Sequence, residues 1–308
     1  MATEHATATA AQQSRASWTE NAHDWLQRSR RKRALAQVPT DPSSAAWAFV
    51  RPSSSAGGSN LAFLDTALRR QTATDQLPVI DVRGDCCKTW TVVTLASRFA
   101  VATRPSQFES TVQTTTTTTT TTTIDNDPPA SLPQVIVLDS THDVTTAKLA
   151  YTVRSNLLRQ SGSSSPADFQ RDTESCLARI HLATADDVSG WVSLLEALRS
   201  KLAPVSSEYP TLVLWDGFLS EPHDEAGRME VIRQLARLVQ ECSVLLVTTT
   251  NRMQHDWDKF VTHRIKLDRN HAAVVSGAVG PNGQQHEYMA TVHGSRIPFS
   301  VSLAGILS

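Results

Sequence analysis

Four short stretches of this chain are apolar almost from end to end, and the segments between them carry apolar residues at helical spacing. They run from Leu77 to Val82, Gln134 to Asp139, Thr211 to Asp216 and Ser243 to Thr249, with a weaker one from Ala178 to Leu182. A strand with one wet face alternates apolar and polar residues, whereas one apolar throughout must be covered on both faces. Such cover comes from crossover helices, which also force neighbouring strands parallel. The pattern therefore predicts an α/β fold, a mostly parallel sheet with helices on both faces. Helices are expected over Asn60 to Arg70, Lys88 to Ala102, Val144 to Gln160, Asp186 to Leu202 and Ala226 to Glu241. Leu61, Leu64 and Leu68 mark the buried face of the first, and Trp191, Leu194, Leu195 and Leu198 that of the fourth. From about Arg264 onward apolar and polar residues alternate, as in an antiparallel extension. In such folds ligands sit at the carboxyl ends of the strands.

The 308 residues suffice for one large α/β domain, and 40% hydrophobic residues permit a sizeable core. A formal net charge of -1 gives no bulk attraction to nucleic acid, so any such contact needs a local basic patch or a partner. Cys86, Cys87, Cys176 and Cys242 form no CxxC pair, and the ten histidines include no HExxH. With no secretory signal and only strand-sized apolar runs, a soluble chain in a reducing interior is expected. Adjacent Cys86 and Cys87 read either as a redox pair or as small packing residues, and neighbours of this kind do not easily form an unstrained disulfide.

Residues 1–59 are expected to be a disordered N-terminus with one basic helix and a linker. The helix starts at the capping-box spacing Ser17-Trp18-Thr19-Glu20 and ends near Gln37, with Arg28, Arg30, Arg31, Lys32 and Arg33 late in it. That run suits a solvated helix end, a nuclear-import signal or a phosphate contact. Residues 60–308 form the core, interrupted at about 104–132 by a disordered loop holding the ten-threonine run Thr114 to Thr123. Without apolar partners such a run builds no core, and loop length costs little.

The chemistry is concentrated at strand ends. The first strand runs into Gly84-Asp85-Cys86-Cys87-Lys88-Thr89. A phosphate-binding loop, GxxxxGK[ST], occupies this place in P-loop folds; its backbone wraps phosphates, its Lys reaches the terminal ones and its hydroxyl holds Mg²⁺. Lys88 and Thr89 stand correctly at a helix start, where the dipole favours anions. Only two residues separate Gly84 from Cys87 where the motif has four, and Cys87 occupies the second glycine's place. If that position needs a left-handed backbone, a residue with a Cβ costs about 1–2 kcal/mol. The bland alternative is a tight turn followed by an exposed lysine. Asp216, closing an apolar strand, has the placing of a Walker B carboxylate, or of an ordinary turn residue. The last parallel strand ends in Thr248-Thr249-Thr250-Asn251, where a polar side chain can sense a terminal phosphate.

In order and wording these segments resemble the eukaryotic strand-exchange recombinase paralogues, nearest to the X-ray repair cross-complementing group. The resemblance rests on Val82-Arg83-Gly84 with Lys88-Thr89, Val135 to Asp139, Leu212 to Asp216, and Leu245 to Thr250 leading to Met253, with Trp257 and His263-Arg264 beyond. It spans roughly Leu77 to Leu303, and its specificity lies in order and spacing. It implies a RecA-like P-loop core, a role in homologous-recombination repair of double-strand breaks, work in a heterocomplex of recombinase paralogues, contact with single-stranded or branched DNA, and the nucleus. Residue by residue it makes Gly84, Lys88 and Thr89 the Walker A remnant and Asp216 the Walker B carboxylate. ATP and Mg²⁺ would be held by these, the metal by Thr89 and Asp216, and Asn251, or else Thr250, would be the sensor. Active members carry a glutamate where this chain has Thr141, and an uncharged hydroxyl is a poor general base. His142 and Asp143 are the neighbours available to replace it. Weak hydrolysis or none is expected.

The same likeness places a DNA-binding loop near Arg252, Trp257, Lys259 and Arg264, where Trp257 and Phe260 among basic residues suit base stacking. The competing reading is a loop packed on the core. The expectation is thus an assembly subunit with vestigial ATP binding, against an active DNA-dependent ATPase of the same fold. A small-molecule kinase is a third class, but no arginine-rich lid stands out.

Overall fold

The computed structural model describes residues 61–69, 77–104, 134–160, 165–203, 210–218, 220, 224–251, 255–270, 287–302 and 305–307. All belong to the compact unit Asp41–Ser308. The expectations for residues 1–59, the Thr114 to Thr123 run, Arg252 and Met253 lie outside the described residues.

The elements in chain order are α1 (Ala62–Arg69), β1 (Val79–Gly84), α2 (Lys88–Ala102), β2 (Val135–Asp139), α3 (Thr146–Gln160), α4 (Pro166–Ala178), β3 (Ile180–Ala183), α5 (Val188–Leu202), β4 (Thr211–Asp216), α6 (Glu225–Glu241), β5 (Val244–Thr250), α7 (His255–Asp258), β6 (His263–Arg269), β7 (Tyr288–Val292), β8 (Ser295–Ser302) and β9 (Gly305–Leu307). The strands form one sheet in the order β3-β2-β4-β5-β1-β6-β7-β8-β9. Pairings from β3 through β6 are parallel, and β6·β7, β7·β8 and β8·β9 are antiparallel. The fold is α/β, as the apolar strands require. β2 and β5 are buried at every position because both their faces are covered.

Register sorts side chains onto two faces. One carries Ile80, Val82, Ile265, Leu267, Ala290, Val292 and Phe299, all buried, and α1 packs on β6 and β7 there, with Phe63 5.5 Å from Phe299 between ring centroids. The other holds a cluster from Ile136, Leu138, Val213, Trp215, Val79 and Leu246, closed by Trp191 and Leu195 of α5, Ile232 and Leu235 of α6, and Trp257 of α7.

Two tethers fix α2, whose first turn carries Lys88 and Thr89. At its far end the buried Arg179 guanidinium donates to the Thr103 carbonyl at 2.6 Å and its hydroxyl at 2.7 Å, satisfying carbonyl groups the helix leaves open. Midway, β9 folds back on the helix: the Ile306 amide donates to Thr94 Oγ1 at 3.0 Å, and Arg98 Nη2 donates to the Ile306 carbonyl at 2.8 Å.

Among the described residues, sequence periodicity misses the short α7 and the longer α4. The stretch after Ser165 lacks a long apolar stripe, because the face α4 buries is made of Thr173 and Cys176. Its start signal is present: Ser165 caps it by accepting from the Asp168 amide at 3.2 Å, and Pro166 opens the first turn. α4 also displaces the expected third strand, which begins at Ile180 rather than Ala178 and is an edge strand with exposed His181 and Leu182.

Candidate functional site

β4 ends in Asp216, 1% exposed, and threonines converge on its carboxylate. Thr89 Oγ1 donates to Oδ2 at 2.6 Å from the first turn of α2, and Thr249 Oγ1 donates to Oδ1 at 2.6 Å from β5. Thr141 Oγ1 lies 3.4 Å from Oδ2 and 2.9 Å from Asp139 Oδ1, which also accepts from the Thr141 amide at 3.0 Å. Neutral hydroxyls offset only part of the desolvation, so burial holds the Asp216 carboxyl above the ordinary carboxylate value, with Asp139 and Asp143 adding to the rise. Gly217, at φ 69, makes the crowding possible: a Cβ there would stand 2.3 Å from Thr141 Cγ2.

The turn from β1 to α2 is as short as its spelling. Gly84 has φ 127, and a Cβ on it would lie 1.9 Å from the Leu267 carbonyl oxygen. The close pass of β6 therefore accounts for this glycine without any phosphate. Cys87 takes the left-handed backbone, at φ 61, as the residue before α2. That is the strained position the sequence anticipated, and the chain tolerates a Cβ in it. Burial pushes the Cys87 thiol up to about 12 and raises that of Cys86. A thiol held protonated is a poor nucleophile, which favours the packing role for the pair.

Lys88 crosses to the tip of β5. Its ammonium donates to Asn251 Oδ1 and lies 3.4 Å from the Thr250 carbonyl oxygen. Burial lowers its pKa, against the opposing pull of Asp216, Asp85 and Asp81. Beneath it the fully buried Asp81 accepts from Thr248 and Thr250 hydroxyls, both at 3.0 Å, and from Arg83, which also bonds Asp258 of α7. The Thr250 hydroxyl is thus spent on Asp81, and among the described residues Asn251 supplies the side chain that accepts from Lys88 at this tip.

No protein-family model matches this chain, and no curated protein matches it.

The fold brings together Lys88, Thr89, Asp216, Asn251 and Thr141, which stand far apart in the chain. Their chemistry is a hydroxyl–carboxylate pair of the right kind for a hydrated divalent cation, beside an ammonium suited to an anionic group. The three residues Asp85, Cys86 and Cys87 offer little backbone to wrap a phosphate chain, and Asp85 is acidic and exposed. His142 and Asp143 are also exposed, and the described hydrogen bonds of Asp143 are through its backbone. Among the described residues, no group of three or more His, Cys, Asp or Glu side chains is placed to hold a metal ion.

The expected DNA-stacking group is dispersed. Trp257 is 1% exposed, with its ring centroid 4.7 Å from Phe218 and 6.2 Å from Phe260. It is a core residue of α7 and offers no face to a base. Lys259 is exposed and pairs with Asp256 at 2.8 Å, and Arg264 is exposed on β6 with its guanidinium 3.2 Å from the Asp258 carbonyl oxygen. Thr249 and Asp81 are site residues the sequence did not single out. Their roles depend on which strands are neighbours, and a single strand's letters do not say so.

Proposed function

We propose that this chain is a RecA-like P-loop subunit of the recombinase-paralogue kind, acting in homologous-recombination repair of double-strand breaks chiefly by assembling with other paralogues, with weak or vestigial ATP binding. The observation that carries the reading is the 2.6 Å bond between Thr89 Oγ1 and Asp216 Oδ2. In this reading the bond joins the Walker A hydroxyl to the Walker B carboxylate, across a sheet in which β4 and β1 flank β5. The Lys88–Asn251 contact is in keeping with a sensor position at the tip of β5. Against turnover stand the short turn, the Thr141 hydroxyl in the place of a catalytic carboxylate, and the lysine already engaged by Asn251. Nuclear residence and DNA contact through the complex belong to the same proposal.

The retained Lys88, Thr89 and Asp216 favour one second reading, an active DNA-dependent ATPase. Titration of a fluorescent ATP analogue with Mg²⁺, beside Lys88→Ala, separates the two. The assembly reading expects binding no tighter than about 1 mM, equivalent to about -4 kcal/mol, and little difference in the variant. Saturable binding near about 1 μM that disappears in Lys88→Ala would replace it with the ATPase reading.

A further inference from the structure

β7 and β8 are joined by a two-residue turn: Val292 pairs directly with Ser295, and between them His293 and Gly294 have φ 49 and 82. Two successive left-handed residues make the hairpin turn whose twist suits its strands, and asparagine followed by glycine is the favoured filling. A histidine tolerates this backbone, but the turn alone gives no reason for its ring. That ring meets the first residue of β6. His263 Nδ1 lies 3.2 Å from His293 Nε2, with the ring planes at 88°. His263 is 8% exposed and His293 is exposed. The two rings lie at the end of the β6·β7 ladder, next to the paired Ile265 and Val292, both fully buried.

We propose that the His263–His293 pair is a pH-sensitive latch, holding the β7–β8 turn against β6 at neutral pH and releasing it when both rings carry a proton. Two neutral imidazoles share a hydrogen bond, one ring nitrogen donating and the other accepting. One added proton still leaves an acceptor. A second leaves only donors, and two positive charges facing each other. No carboxylate stands by to offset them among the described residues. Asp81, Arg264, Lys266, Asp268 and Arg296 stand on the other face of the sheet. On α1, which packs on β6 and β7, Asp65 acts on Arg98, and Arg69 is exposed at the helix end. Arg269 and Glu287 lie at the opposite end of the hairpin, beside Tyr288. The charge that acts on His263 is that of His293, which together with burial lowers its pKa. The folded chain therefore takes up this proton at lower pH than the unfolded chain does. The pair contributes stability above the ordinary imidazole value, and that contribution is lost as pH falls below it. Release of the turn opens the Ile265–Val292 pair to solvent.

The experiment follows the imidazole proton resonances of the full chain by NMR from about pH 8 to about pH 4.5, with a chelator present to exclude metal. It is run beside His293→Asn, which places the favoured residue in the turn, and its melting temperature at about pH 8 verifies folding. The unaltered chain should show two coupled steps, the second depressed. In His293→Asn, the His263 ring should titrate in one step at higher pH than that second step. Hydrogen exchange at the Val292 and Ser295 end of the hairpin, corrected for the intrinsic rate, supplies the conformational readout. Protection there should fall by about tenfold per pH unit through the second step in the unaltered chain. It should stay flat in His293→Asn and in His263→Gln, while β2, β4 and β5 keep their protection in all three. An unchanged His263 titration in His293→Asn would overturn the proposal, since the rings would then titrate independently. So would an equal loss of hairpin protection in His293→Asn, which would assign the acid sensitivity to the burial of His263 alone.

Discussion

Asp216 is the most tightly constrained residue of the site. Its carboxylate is buried and, among the described residues, its side-chain donors are neutral hydroxyls, so its proton is held more firmly in the folded chain than in the unfolded one. As pH rises past the ordinary carboxylate value the unfolded state loses this proton first, and stability falls until the raised folded value is passed. Asp216→Asn removes that loss. Urea unfolding of both proteins between about pH 4 and pH 7 should show the variant gaining stability relative to the parent as pH rises. A difference independent of pH would mean that the carboxyl is not held above its ordinary value. Lys88, Thr89, Asp216 and Asn251 were legible in the sequence because each sits at a strand end or a helix start. Gly84 was legible too, but its contact with the Leu267 carbonyl was not, since that group lies on a strand far along the chain. Thr249 was not legible, since β5 offers three consecutive threonines and only the sheet decides which one faces Asp216.

At the scale of elements, the site depends on helices held by their caps. Asp187 opens α5 by accepting from the Gly190 amide at 2.7 Å, and α5 carries Trp191 into the cluster beside Trp215, 4.7 Å between ring centroids. Asp187→Ala is expected to cost about 1 kcal/mol, read as a lower denaturant midpoint with an unchanged slope. A change in slope instead would mean that α5 melts separately. The strongly periodic α6, and elements such as α2 and β4, fall within a residue or so of where their letters put them. α4 did not announce itself, because the face it buries is polar and small while hydrophobic periodicity registers only apolar stripes.

For the molecule as a whole, Trp191, Trp215, Phe218, Trp257 and Phe260 form a continuous string of rings from α5 across β4 to α7 and the turn beyond. This string anchors the segment after β5 to the sheet. Trp257→Ala should therefore cost about 3–5 kcal/mol in thermal or chemical unfolding, as removal of a large buried ring does. A variant that keeps full stability and loses only DNA affinity would return Trp257 to the role of a stacking base platform. The boundary of that string also marks where the sheet changes character, from a core covered on both sides to a face with exposed lysine and arginine.

Apolar strands, amphipathic helices and turn residues are local properties of the chain, and from them the sequence by itself determined an α/β fold, the positions of most elements and the strand ends where chemistry belongs. Only the tertiary structure decided which strands are neighbours, and that choice set the three threonines around Asp216, the reason for Gly84, the burial of Trp257 and the meeting of His263 with His293. Each of these joins residues that meet because strands pair in one order and register, and pairing is settled by the packing of the whole sheet rather than by any one segment.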